Sequence, residues 1–123
     1  MYSTILYDVK DGKATITLNR PDVYNAFNDE MTYELQAVFK EVNKNKEVRV
    51  VIVTGAGKAF CSGQDLKATR DSANFSFSDS VKNRYNPLIS GMRNLPKACA
   101  ACWRSVEKSE RISGRRSYAI TAR

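Results

Sequence analysis

The chain has no histidine. Its 123 residues therefore lack the side chain most used for proton transfer near neutral pH, leaving carboxylates or tyrosines for that work. Cysteine is scarce: Cys61, Cys99 and Cys102 are odd in number and too few for a disulfide framework, in keeping with a reducing compartment. Cys99 and Cys102 have the spacing of a redox pair. That reading needs a thioredoxin-like strand-to-helix junction, and a zinc site would need two more ligands, so the pair is read as accidental and no metal is expected. Cys61 has no imidazole to generate a thiolate and reads as a small buried hydrophobe. Long apolar runs are missing too. The longest, residues 48–54, is interrupted by Arg49 and falls far short of the roughly 20 residues of a membrane span. The first ten residues, MYSTILYDVK, lack the basic region, apolar run and small-residue cleavage site of a secretory signal. The expectation is a cytoplasmic protein with no membrane partner. There is no internal repeat and no low-complexity stretch. A hydrophobic fraction of 42% and a charged fraction of 27% are those of a soluble globular chain, and the length allows one domain.

The net charge of +7 is unevenly spread. Residues 1–96 carry 13 Lys/Arg against 11 Asp/Glu, whereas residues 97–123 carry 7 against 2. A basic tail invites nucleic acid, yet its only interleaved aromatics are Trp103 and Tyr118, and no nucleic-acid partner is expected. The asymmetry instead divides the chain into a core, 1–97, and a divergent basic tail, 98–123.

Residues 2–9 and 13–19 alternate in polarity and are rich in β-branched residues. Asp11-Gly12 between them tolerates positive φ, which predicts a hairpin. Pro21 removes a ladder donor and stops the second strand. Asn28 has the chemistry of a helix N-cap, with Asp29 and Glu30 in the first turn. Met31, Leu35, Val38, Phe39 and Val42 then form one apolar stripe, predicting a helix to about Lys44. The run 48–54 reads as a parallel strand buried on both faces. Residues 68–80 read as a polar surface segment. The stripe Val81, Tyr85, Leu88, Ile89, Met92 and Leu95 predicts a second helix over 79–95, kinked at Pro87. Beyond Lys97 no strand-length apolar run and no long amphipathic stripe is evident. Hairpin, helix and buried strand together indicate an α/β class.

Two short motifs bear on chemistry. TGAGK, 54–58, lacks the glycine spacing and the Ser/Thr of a phosphate-binding loop and reads as a plain turn. CSGQDL, 61–66, carries two readings. Gly63 can turn the backbone so that an amide points into a cleft as half of an oxyanion hole, or it can simply relieve a turn while Asp65 caps a short helix.

TLNRPDVYNAFNDEM, VRVVIVTGAGKAFCSGQDL and RYNPLISGMRNLPK, taken in order, resemble the crotonase (enoyl-CoA hydratase/isomerase) superfamily over about residues 4–97. The resemblance implies the N-terminal portion of a β-β-α spiral, the ClpP/crotonase fold, incomplete in this chain. It implies an acyl-CoA substrate, with coenzyme A part of that substrate and no prosthetic group. It places Asp22, Val23 and Tyr24 along coenzyme A and wraps Ser62, Gly63, Gln64, Asp65 and Leu66 around its adenine and pantetheine. The Gln64 N–H becomes an oxyanion donor. Lys67 faces either a coenzyme A phosphate or solvent. The family's trimers and hexamers make a homo-oligomer the expected state. After Lys97 the family continues with a buried strand, a Gly/Ala-rich turn bearing the second oxyanion N–H, and later carboxylates. None of these is legible here, as a shift of reading frame would produce. The implied function is a truncated, weakly active or inactive hydratase/isomerase, or alternatively a non-catalytic coenzyme A-binding or assembly module. An uncovered edge beside residues 48–54 is expected to favour association.

Overall fold

A computed structural model describes residues 1–70, 76–102 and 118–120. The hairpin forms as its sequence predicts. β1 (Ile5–Lys10) and β2 (Lys13–Leu18) pair antiparallel with Lys10 opposite Lys13, so the turn is two residues long. Asp11 and Gly12 take φ of 51° and 76°, the left-handed pair that a hairpin of natural twist requires. The carbonyl of Gly12 also accepts from the N–H groups of Arg49 and Val50, at 2.8 and 3.3 Å. The turn thereby fixes where the third strand begins.

Helix α1 (Asp29–Lys44) crosses from β2 to β3 (Val50–Gly55), which lies parallel to β2. Asn28 caps it, its side-chain oxygen accepting from the Met31 N–H at 3.0 Å. The predicted stripe is the buried face of α1. It packs on Ile5, Ala14, Ile16, Leu18, Val51 and Val53 of the sheet, and Leu88 and Leu95 complete this core. At the other end of α1 the Lys97 ammonium donates to the carbonyls of Val42 and Asn45, where a cation also suits the helix dipole.

Three expectations change. β3 is covered on its Val51 and Val53 face, but Val50 and Ile52 on the other are only half-buried, because α1 packs against one side of the sheet. The stretch from Ala98 does contain a strand. β4 (Ala98–Cys102) pairs parallel to β3, and β5 (Tyr118–Ile120) pairs antiparallel to β4, giving one sheet in the order β1-β2-β3-β4-β5. Five Ala and Cys residues carry little intrinsic strand preference, so the open ladder of β3 decides their conformation. The edge of β3 expected to be uncovered is therefore occupied. Cys99 and Cys102 both lie in β4.

The second helix runs over 77–93 as α3 (Phe77–Ser80), a π-helical turn (Val81–Tyr85) and α4 (Asn86–Arg93). Pro87 stands in the first turn of α4, where its missing N–H is tolerated. The wide turn ahead of it absorbs the lost bond: the Asn86 N–H reaches back to the Val81 carbonyl, and Gln36 Nε2 of α1 donates to the carbonyls of Asn83 and Arg84 at 3.3 and 3.0 Å. Arg84 adds an ion pair to Asp29 at the start of α1. Replacing Gln36→Leu keeps the side-chain bulk but strands these carbonyls. Denaturant unfolding is expected to show a loss of about 1 kcal/mol.

Candidate functional site

The site is built where the segment after β2 meets the segment after β3. Pro21 opens a 3-10 turn (Pro21–Val23), and the chain then passes through two left-handed residues, Tyr24 at φ 52° and Asn25 at φ 55°. Asn is among the few residues that take this conformation readily. The Asn25 side chain is fully buried. Its oxygen accepts from the Arg20 N–H at 2.8 Å, and its amide donates to the carbonyls of Ala56 and Ala59 at 2.9 and 2.8 Å. One side chain thus satisfies three main-chain groups and binds the two loops together.

Two glycines let the loops close. A Cβ on Gly55 would fall 2.5 Å from the carbonyl oxygens of Ala59 and Phe60, so only glycine fits where the chain folds back. Gly57, at φ +76°, lies so close to Pro21 that a Cβ on it would fall 3.1 Å from the proline Cβ. Further along, the Ser62 N–H donates to the Tyr24 carbonyl at 3.0 Å and its hydroxyl to the Val23 carbonyl at 3.3 Å. The residues expected along coenzyme A from both loops, 22–24 and 62–66, therefore run side by side.

Gly63 adopts φ +111°, a region that L side chains avoid, although a Cβ there would meet open space. The turn it makes leads into a parallel bridge between Phe27 and Gln64. In such a bridge one residue bonds to both neighbours of the residue opposite. Here the Phe27 N–H donates to the Gly63 carbonyl and the Asp65 N–H donates to the Phe27 carbonyl, both at 2.8 Å. The main-chain N–H and C=O of Gln64 are thus turned toward the edge away from Phe27.

Asp65 is held firmly. Arg20 Nη2 donates to its Oδ2 at 2.9 Å, with the two side chains only 21% and 12% exposed, and Arg20 Nη1 reaches the Ala26 carbonyl at 2.6 Å. The other oxygen accepts from the Lys67 and Ala68 N–H groups at 3.1 and 3.2 Å and caps α2 (Leu66–Arg70). Hydrogen bonding from Arg20, reinforced by the α2 amides, holds this carboxyl below its ordinary range. Of what CSGQDL suggested, the turn at Gly63 and the Asp65 cap of α2 are both present. Val23, Tyr24 and Leu66 are 36%, 59% and 76% exposed, while Asp22, Ser62, Gly63 and Lys67 are at the surface and Gln64 is half-buried.

Sequence reasoning missed Arg20, Asn25, Phe27 and Tyr85. The Phe27 ring meets the Tyr85 ring edge-on at 6.5 Å, so Phe27 carries Gln64 on its main chain and Tyr85 on its side chain. Asn25 alone left a local signal, as a residue suited to left-handed backbone between Pro21 and a capped helix. Among the described residues no group of three His, Cys, Asp or Glu could hold a metal ion, and no helix is long and apolar enough to cross a membrane.

The fold is the crotonase fold. A probable enoyl-CoA hydratase from Mycobacterium smegmatis aligns over 82% of this chain and 41% of its own, at 36% identity and TM-score 0.68. An enoyl-CoA hydratase from Shewanella pealeana aligns over 80% and 38%, at 25% identity and TM-score 0.71. Residues 8–103 match the enoyl-CoA hydratase/isomerase family, and the chain belongs to it. The match continues past Lys97 through β4. The 1,2-epoxyphenylacetyl-CoA isomerase of Escherichia coli is 41% identical over 100 residues, which are 79% of this chain and 38% of that protein. The chain thus spans well under half the length of the relatives it matches.

The Arg20–Asp65 pair gives a pH dependence of defined sign. The folded value of Asp65 lies below its ordinary 3.8, so the pair stabilises fully above that value and its contribution falls away as pH drops through the lower folded one. Thermal unfolding of wild type and Asp65→Asn across acid pH is expected to show wild type ahead near neutrality. That advantage shrinks below about pH 4.

Proposed function

We propose that this chain binds a coenzyme A thioester and that the Gln64 N–H donates to the thioester oxygen as negative charge develops there. The Phe27–Gln64 bridge carries the reading, because its two bonds engage the neighbours of Gln64 and direct its own amide to the opposite edge. A rigid donor aimed at a developing oxyanion lowers the barrier without reorganising. Removing one such donor typically costs about 2.7 to 4 kcal/mol.

The carrier lies along the joined loops. Val23, Tyr24 and Leu66 offer exposed apolar surface on segments bonded to one another, suited to covering an adenine and a pantetheine arm. Asp22, Ser62 and Gly63 supply polar contacts, and Lys67 supplies charge for a phosphate. Asp65 serves by position, since its oxygens are already bonded to Arg20 and α2. This chemistry uses no prosthetic group. The name of the Escherichia coli relative adds 1,2-epoxyphenylacetyl-CoA, a ring epoxide, to the candidate substrates, beside simple enoyl-CoA. A cytoplasmic homo-oligomer, trimer or hexamer, is part of the same reading.

One observation favours a second reading, a coenzyme A-binding module without turnover. Asp65 is the carboxylate next to Gln64, and its engagement with Arg20 leaves it poorly placed to move a proton. Calorimetric titration with coenzyme A and crotonyl-CoA, beside an assay of crotonyl-CoA hydration, tests both. Saturable binding with hydration is expected of the enzyme, and binding alone of the module. Absence of binding contradicts both.

A further inference from the structure

The Phe27–Gln64 bridge lies outside the named strands, so no ladder on either side keeps its register. Its two main-chain bonds run from Phe27 to Gly63 and from Asp65 to Phe27. One side chain holds both flanks of it. Arg20 Nη1 donates at 2.6 Å to the carbonyl of Ala26, the residue before Phe27, and Nη2 donates at 2.9 Å to the carboxylate of Asp65, the residue after Gln64. A guanidinium is a rigid plane, so bonds from its two terminal nitrogens fix how far apart their acceptors stand.

Arg20 is itself anchored at its main chain. Its N–H donates to Asn25 Oδ1, and its carbonyl accepts from the N–H groups of Val23 and Asn25 at 3.2 and 2.8 Å. The guanidinium and its carboxylate partner are both largely withdrawn from solvent, where an ion pair is screened less than at an open surface. Lysine cannot take its place. A single ammonium on a flexible stem keeps the charge but not the fixed fork that spans Ala26 and Asp65.

We propose that Arg20 is a positioning residue for the oxyanion donor: its fork sets the register of the bridge and, through it, the direction of the Gln64 N–H. It acts through the Ala26 carbonyl and the Asp65 carboxylate, without touching the thioester. The inference rests on the coenzyme A reading above and deepens it, since it assigns control of the donor to a side chain outside the 61–66 loop.

The test compares wild type with Arg20→Lys, Asp65→Asn and the double variant. Calorimetry with coenzyme A and with acetyl-CoA reads binding, and the infrared frequency of a carbon-13 thioester carbonyl in bound acetyl-CoA reads the donor. Each single variant is expected to weaken acetyl-CoA about three- to tenfold, the worth of one hydrogen bond, and to raise the bound carbonyl above its wild-type frequency. Coenzyme A, which has no carbonyl at that point, should stay within about twofold, a split that a merely structural role would not produce. The double variant should lose no more than the singles, because both act through one contact. Asp65→Asn keeps the shape of its side chain and carries the test should Arg20→Lys not fold. An unchanged carbonyl frequency in folded variants, or equal weakening of both probes, overturns the role of Arg20 and leaves the coenzyme A reading intact. If the carbonyl bound to wild type shows no donor, the reading of Gln64 falls and this inference with it.

Discussion

The buried side chain of Asn25 is the interaction on which the site depends. Loops after parallel strands leave main-chain groups that no ladder satisfies, and two such loops cannot be brought together dry unless something bonds them. Asn25 supplies one acceptor and two donors at the point of contact, on backbone already turned left-handed to present them. With that contact made, Arg20 falls opposite Asp65 and Phe27 opposite Gln64. The orientation of one amide hydrogen thus descends from a chain of bonds that begins in the NRP segment after β2.

Local chemistry made much of the frame readable. Asp11-Gly12 allows a two-residue turn, Asn28 caps α1, and a stripe of five apolar residues at helical spacing has one stable use. Each signal lies within a few residues of what it specifies. The helix around Pro87 was legible in extent but not in form, because the choice between kink and wide turn is made by Gln36, 48 residues away from the Arg84 carbonyl it bonds. β4 was illegible for a related reason. Its Ala and Cys residues favour no particular backbone state, and the neighbouring ladder of β3 decides.

The site was partly legible. Gly63 and Gln64 stood out because a glycine beyond a buried strand is a common way to turn an amide outward. The pairs that fix that amide did not, since Arg20 and Asp65 lie 45 residues apart and nothing local marks either as a partner. Resemblance to the family supplied the pairing of the two segments, and the hydrogen bonds between Ser62 and residues 23–24 give it a physical form. Tyr85 was read as one member of an apolar stripe. Its edge-on contact with Phe27 cannot be read from that spacing.

What the arrangement offers chemically is a main-chain amide fixed by the Phe27 bridge, with its neighbouring carboxylate occupied. That division suits holding and polarising a carbonyl better than moving a proton. The most direct measurement is isotope-edited infrared spectroscopy of acetyl-CoA carrying carbon-13 at its thioester carbonyl, recorded free and bound to the chain. A donor hydrogen bond weakens the C=O bond, so a shift to lower frequency on binding is predicted. A bound carbonyl vibrating at its frequency in a non-hydrogen-bonding solvent would contradict the account.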